Sequence, residues 1–331
     1  MGQNNAYPLD QYKTLPVMGK FFSSRTYDVA EVENHEDNCD IKNELQGENR
    51  MNENLNTTRP ALASPWVYFV ATYIWSGIFG GMAILMNLSM ETASGLVLVL
   101  LAALGPMVMG IAFTYLTRDN EGRRDYWKRI VGFKRIPAKW YLIIFIFVPI
   151  LNGLAALLDV VIGGTGATWG ETAINFLTNP SSIILSILFA TLFPFIEELG
   201  WRGYVLDRLQ EKNSALVSSL ILGFVWSLWH LPTFFVRDSY QSGLGIGTPA
   251  FWWFFAGIIP LTFVFTWVYN NTNRSTLAVI IFHSMVNFTG ELFTLSERAD
   301  NYSILLWFVA ALVITFIWSA NSITHRKEVY S

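Results

Sequence analysis

The sequence predicts an all-α fold: a polytopic membrane helix bundle of about eight transmembrane helices. Three observations carry this. Of the 331 residues, 52% are hydrophobic and only 14% charged, whereas soluble domains carry about 25% charged residues. A chain so poor in charge cannot cover a water-facing surface of its own size. From Pro65 onward the apolar residues fall into stretches near the roughly 20 residues that a helix needs to cross a bilayer. Trp and Tyr, which concentrate where hydrocarbon meets water, number 13 each.

Residues 1–64 stand apart. They hold ten Asp/Glu and six Lys/Arg and almost no apolar run. Such a segment buries too little apolar surface to offset its ordering entropy, so a disordered, acidic tail is expected there. It has no apolar core of a signal peptide, and Ala6 breaks the myristoylation pattern that Met1-Gly2 begins. Cys39 is the single cysteine, which excludes an intramolecular disulfide and a Cys-based zinc site. The net charge of −3 gives no footprint for nucleic acid.

Residues 65–331 form the expected transmembrane domain. The spans fall at about 66–88, 93–117, 140–162, 181–202, 214–236, 250–270, 276–294 and 303–321. Pro106, Pro149, Pro194 and Pro260 lie inside spans, where each removes a backbone hydrogen bond. Orientation follows from Lys and Arg. The loop from Arg118 to Lys139 holds eight of them, so by the positive-inside rule it is cytoplasmic. Eight spans then place both termini inside, in the cell membrane. Arg208, Lys212, Arg274, Arg326 and Lys327 fall inside as well, and only Arg237 and Arg298 outside. Tyr126, Trp127 and Ile130 suit either an interfacial helix along the headgroups or a solvated loop.

The chemistry sits in three spans. The fourth carries Glu197, Glu198 and Arg202, the fifth Trp226 and His230, the seventh His283 and Asn287. An ionisable group deep in a bilayer costs about 2.5–3.5 kcal/mol on insertion scales, so these side chains are expected to face the bundle interior or a wet cavity. Glu198 and Arg202 are four apart with the acid first, which suits a helical ion pair. Glu197 is turned about 100° from Glu198, so the two carboxylates should differ in role: Glu197 toward the chemistry, Glu198 structural.

Ser214 is the expected N-cap of span five, and Glu197 and His230 lie symmetrically about position 213.5. In an antiparallel hairpin they sit at one height, about 25 Å from the turn. The polar run Asp207, Arg208, Gln210 and Glu211 suggests that the hairpin tip projects into water, which reduces the depth of the site to roughly 10 Å. His283 and Asn287, one turn apart, join at that level.

A glutamate and two histidines have two chemical readings. Glu197, His230 and His283 can hold a divalent metal such as zinc, whose bound water becomes the nucleophile. Alternatively Glu197, helped by His230, acts on water without a metal, with His283 and Asn287 stabilising the oxyanion. Both end in hydrolysis, and both stay open. Bland roles are expected for Asp159 and Glu291 (span ends facing the interface), Asn152 (packing between helices), and Trp252, Trp253 and Trp307 (belt residues).

The three motifs, Glu197-Glu198 to Arg202, Trp226 to His230, and His283 to Asn287, resemble those of the CPBP family of intramembrane proteases, the Rce1-like or Abi group, over roughly residues 181–290. The family pattern is EExxxR, FxxxH and HxxxN; here Trp226 replaces the phenylalanine. The resemblance implies an endopeptidase acting on a membrane-associated peptide or protein in a cytoplasm-facing cavity. Glu197 and His230 would activate water, His283 and Asn287 would serve the oxyanion, and Glu198, Arg202 and Trp226 would support the site. The rivals are a family member kept as a non-catalytic scaffold or immunity factor, and a proton-coupled transporter. No internal repeat supports the transporter.

Overall fold

The computed structural model describes residues 61–323. The expected acidic tail (apart from its last few residues), Cys39, Arg326 and Lys327 lie outside the described residues.

The helices are α1 (Pro65–Leu85), α2 (Ala93–Ala103), α3 (Gly105–Thr117), α4 (Asn120–Val131), α5 (Ala138–Val161), α6 (Glu171–Thr178), α7 (Ser182–Gly200), α8 (Leu206–Gln210), α9 (Ala215–Trp229), α10 (Tyr240–Leu244), α11 (Pro249–Asn271), α12 (Thr276–Leu292) and α13 (Glu297–Trp318). Two three-residue strands, β1 (Ala167–Trp169) and β2 (Phe293–Leu295), pair antiparallel. The fold is therefore all-α, as expected. Many starts are written in the sequence as side-chain caps. Thr92, Asp119, Ser214, Thr248, Ser275 and Ser296 each accept from a backbone N–H of the first turn.

Among the described residues, seven helical segments are long and apolar enough to cross a bilayer: 65–85, 93–117, 138–161, 182–210, 215–235, 249–271 and 297–318. The eighth expected span is α12, with 17 residues, or about 26 Å, short of a 30 Å hydrocarbon core. It is held instead among other helices, packing on α7, α5 and α11. Span two is broken at Leu104, just before Gly105-Pro106, where proline cannot donate. In span four, α7 passes through a π-helical turn, Trp201–Val205, into α8.

Loop contacts define two ends of the bundle. At one end Arg118 meets Glu211, Arg129 meets Asp207, Asn273 bonds Arg135, and Ala215 bonds Asn321. This is the end of the basic loop. At the other, Met90 bonds Arg237, Ser296 bonds Gly166, and β1 pairs with β2.

Three expectations need correction. The run before the hairpin tip is covered: Asp207, Arg208 and Gln210 are buried, while Glu211 and Lys212 at the tip are exposed. Asp207 pairs with Arg129 and Arg274 and accepts from Tyr269, and Gln210 exchanges bonds with Asn270. Asp159 is buried, accepting from Gly166 and Ser296 and paired with Arg298. Trp307 is a core residue, edge-on to Phe282, and Trp253 is half-buried on the wall of a cavity; Trp252 alone of the three is well exposed. Of the two readings of the segment around Tyr126, the helix is the one found, with Tyr126 and Ile130 facing the bundle and Trp127 exposed. Asn152 does pack between helices, accepting from Ser303.

Candidate active site

Local backbone features bring the polar side chains together. Pro194 has no N–H, so the carbonyl of Ala190, four residues back, loses its helical donor. The Asn287 amide on α12 donates to it at 3.4 Å. One turn after Pro194 come Glu197 and Glu198, and then the π-helical turn. On α9 the helix stops at Trp229, with Pro232 close behind, which orphans the last carbonyls. The His230 ring takes one of them: Nδ1 lies 2.9 Å from the Trp226 carbonyl oxygen.

The two glutamates part as their spacing demands. The Glu197 Oε2 accepts from the indole Nε1 of Trp226 at 2.6 Å. Glu198, fully buried, is bonded through both oxygens to Nη1 of Arg202 at 3.0 Å. Its Oε1 also lies 2.9 Å from Nδ1 of His283. The Arg202 guanidinium lies over both the Trp226 and Phe265 rings, at 5.0 and 4.9 Å from their centroids. Sequence spacing found the Glu198–Arg202 pair. It did not find the His283 bond, which joins residues 85 apart. Nor did it find the indole donor, although the Trp in place of the motif's Phe was the available signal.

Glu197, His230, His283 and Asn287 all line one cavity of about 410 Å³, with Trp226 and Phe254 among its walls. Glu198 and Arg202 lie behind that wall, with no exposure. The other wall residues include Met90, Ser239 and Tyr240, which belong to the end opposite the basic loop. Those residues set this wall of the cavity toward the end opposite the basic loop.

The hydrogen bonds assign ring nitrogens. A carbonyl partner makes Nδ1 of His230 the protonated nitrogen and leaves Nε2 with a lone pair. A carboxylate partner makes Nδ1 of His283 a donor. The metal reading needs Glu197, His230 and His283 as one ligand set. Among the described residues, no group of three or more His, Cys, Asp or Glu is placed to hold an ion, so no step below is routed through one.

Residues 179–289 match the family described as Type II CAAX prenyl endopeptidase Rce1-like. The CAAX prenyl protease 2 of Methanococcus maripaludis is 29% identical over 260 residues, covering 76% of this chain and 94% of the relative.

Proposed function

We propose that this chain, which matches the Rce1-like family over residues 179–289 and is 29% identical to a CAAX prenyl protease 2, is a CAAX-protease-like membrane peptidase in which Glu197 and His230 activate the water that cleaves a peptide bond. The observation that carries this is the convergence of Glu197, His230, His283 and Asn287 on one cavity, while Glu198 and Arg202 stay behind it. Water is held between the Glu197 carboxylate and Nε2 of His230. Glu197 takes its proton as the oxygen attacks the scissile carbonyl carbon. The carbonyl electron pair moves onto oxygen, where the Asn287 amide supplies one donor and the His283 ring, as an imidazolium held by Glu198 through Nδ1, supplies its Nε2–H as the other. On collapse the C–N bond breaks and the leaving nitrogen receives the proton from Glu197, giving a new carboxyl and a new amine. Glu198 holds His283 by its Nδ1, and Arg202 holds Glu198.

The substrate is a membrane-associated peptide. The named relative is a CAAX prenyl protease, and a largely aromatic and aliphatic cavity suits a segment that arrives from an apolar environment. For orientation we take the basic end as cytoplasmic, because eight Lys/Arg in one short loop is the strongest charge asymmetry in the chain. The cavity then opens on the opposite face of the cell membrane.

The test compares released fragments from cells carrying wild type or Glu197→Gln at equal protein levels. A fragment present only with wild type supports proteolysis and names a substrate. Identical fragment profiles would sink the catalytic reading in favour of a scaffold.

A further inference from the structure

Helix α4 is amphipathic in an unusual sense: its inner face holds the catalytic segment and its outer face is cationic. On the inner face, the Tyr126 hydroxyl donates to the Leu199 carbonyl at 3.1 Å. Nη2 of Arg129 donates to the Gly203 carbonyl at 2.9 Å, and Nη1 pairs with Asp207. These carbonyls flank or belong to the π-helical turn that follows Glu197 and Glu198. A π-helical turn disrupts the regular ladder, and buried carbonyls need donors in an apolar setting; α4 provides them. The contact is close, since a Cβ on Gly203 would come within 2.9 Å of the Tyr126 ring.

On the outer side, Arg124, Lys128, Lys134 and Lys139 are exposed, and no ion pair or hydrogen bond engages their side chains among the described residues. Trp127, Val131 and Phe133, at 37%, 65% and 64% exposure, lie interleaved with them. Cations alternating with exposed aromatic and aliphatic side chains, at the end of a transmembrane bundle, match an anionic headgroup layer above acyl chains.

We infer that the outer face of α4 and the turn after it bind anionic phospholipid headgroups of the surrounding bilayer, and that this binding steadies the segment 199–205 through Tyr126 and Arg129. It rests on the proposed function only in making that segment catalytic; the binding and the steadying are measured without activity.

The full chain is placed in nanodiscs of phosphatidylcholine alone or with one quarter phosphatidylglycerol. Retained lipid is counted by native mass spectrometry, and backbone hydrogen exchange is followed over 199–205. The expected result is selective retention of phosphatidylglycerol and at least threefold slower exchange of the segment in the anionic discs. Arg124→Gln/Lys128→Gln should lose both effects, and Lys134→Gln/Lys139→Gln should weaken them. Equal retention of the two lipids overturns the binding, and unchanged exchange despite selective retention overturns the coupling. Inorganic phosphate added to phosphatidylcholine discs should change nothing; if it reproduces the slowing, the surface recognises a soluble anion and the inference falls.

Discussion

The indole N–H of Trp226 donates to the Glu197 carboxylate at 2.6 Å, and the carbonyl of the same residue accepts from His230. One residue therefore holds both partners proposed to activate water, through its side chain and its backbone. A phenylalanine would keep the second bond and lose the first. Trp226→Phe should lower kcat roughly tenfold to a hundredfold, since a hydrogen bond to a charged group is worth about 1.5–3 kcal/mol. KM should change little, because the ring still forms the wall. Wild-type kcat in steady-state assays of purified protein would show that the indole donor does not matter.

Arg202→Ala should be a stability variant first. It leaves Glu198 buried without its cation and opens a space against the Trp226 and Phe265 rings. Removing one partner of a buried ion pair costs about 3–5 kcal/mol. A clearly lower melting temperature in detergent is expected. Because Glu198 also holds His283, the folded fraction should show a lower kcat as well. Full activity per folded molecule would mean that Glu198 positions His283 without Arg202.

What the sequence disclosed and what it hid divide along chain distance. The spans were legible because bilayer thickness imposes a length on each segment separately. The Glu198–Arg202 pair was legible because four residues make one helical turn. The burial of Asp207 was not legible. Its partners Arg129, Tyr269 and Arg274 lie 62 to 78 residues away in sequence, and no local pattern announces them. Asp159 was misjudged for the same reason: Arg298 arrives from 139 residues away. Polar residues near a span end look interfacial until a distant partner covers them.

The glycines of α3 and α7 set how closely the catalytic helix can be held. A Cβ on Gly200 would lie 2.2 Å from the Pro106 carbonyl oxygen and from the Tyr68 hydroxyl, and one on Gly110 would lie 2.8 Å from the Leu199 carbonyl oxygen. Small residues let membrane helices approach backbone to backbone. Gly200→Ala must push α7 away from α3, at a cost of about 1–3 kcal/mol for overpacking. The expected outcome is less folded protein and a lower melting temperature, with Gly243→Ala, whose Cβ meets nothing within 4 Å, as the neutral comparison. Equal melting temperatures for the two variants would contradict the close approach.

Which face of the membrane the cavity serves can be read directly from thiol labelling. After Cys39→Ser removes the single native thiol, one cysteine is introduced at a time. Gly243 is exposed on the short helix α10 beside the cavity wall, and Lys128 is exposed on α4 at the basic end. With the basic end cytoplasmic, a membrane-impermeant maleimide should label Gly243→Cys on intact cells, and Lys128→Cys only after permeabilisation. The reverse pattern would put the cavity on the cytoplasmic face and the eight-cation loop outside, against the charge rule. Substrates should then be sought among cytoplasmic peptide tails rather than segments exposed on the outer face.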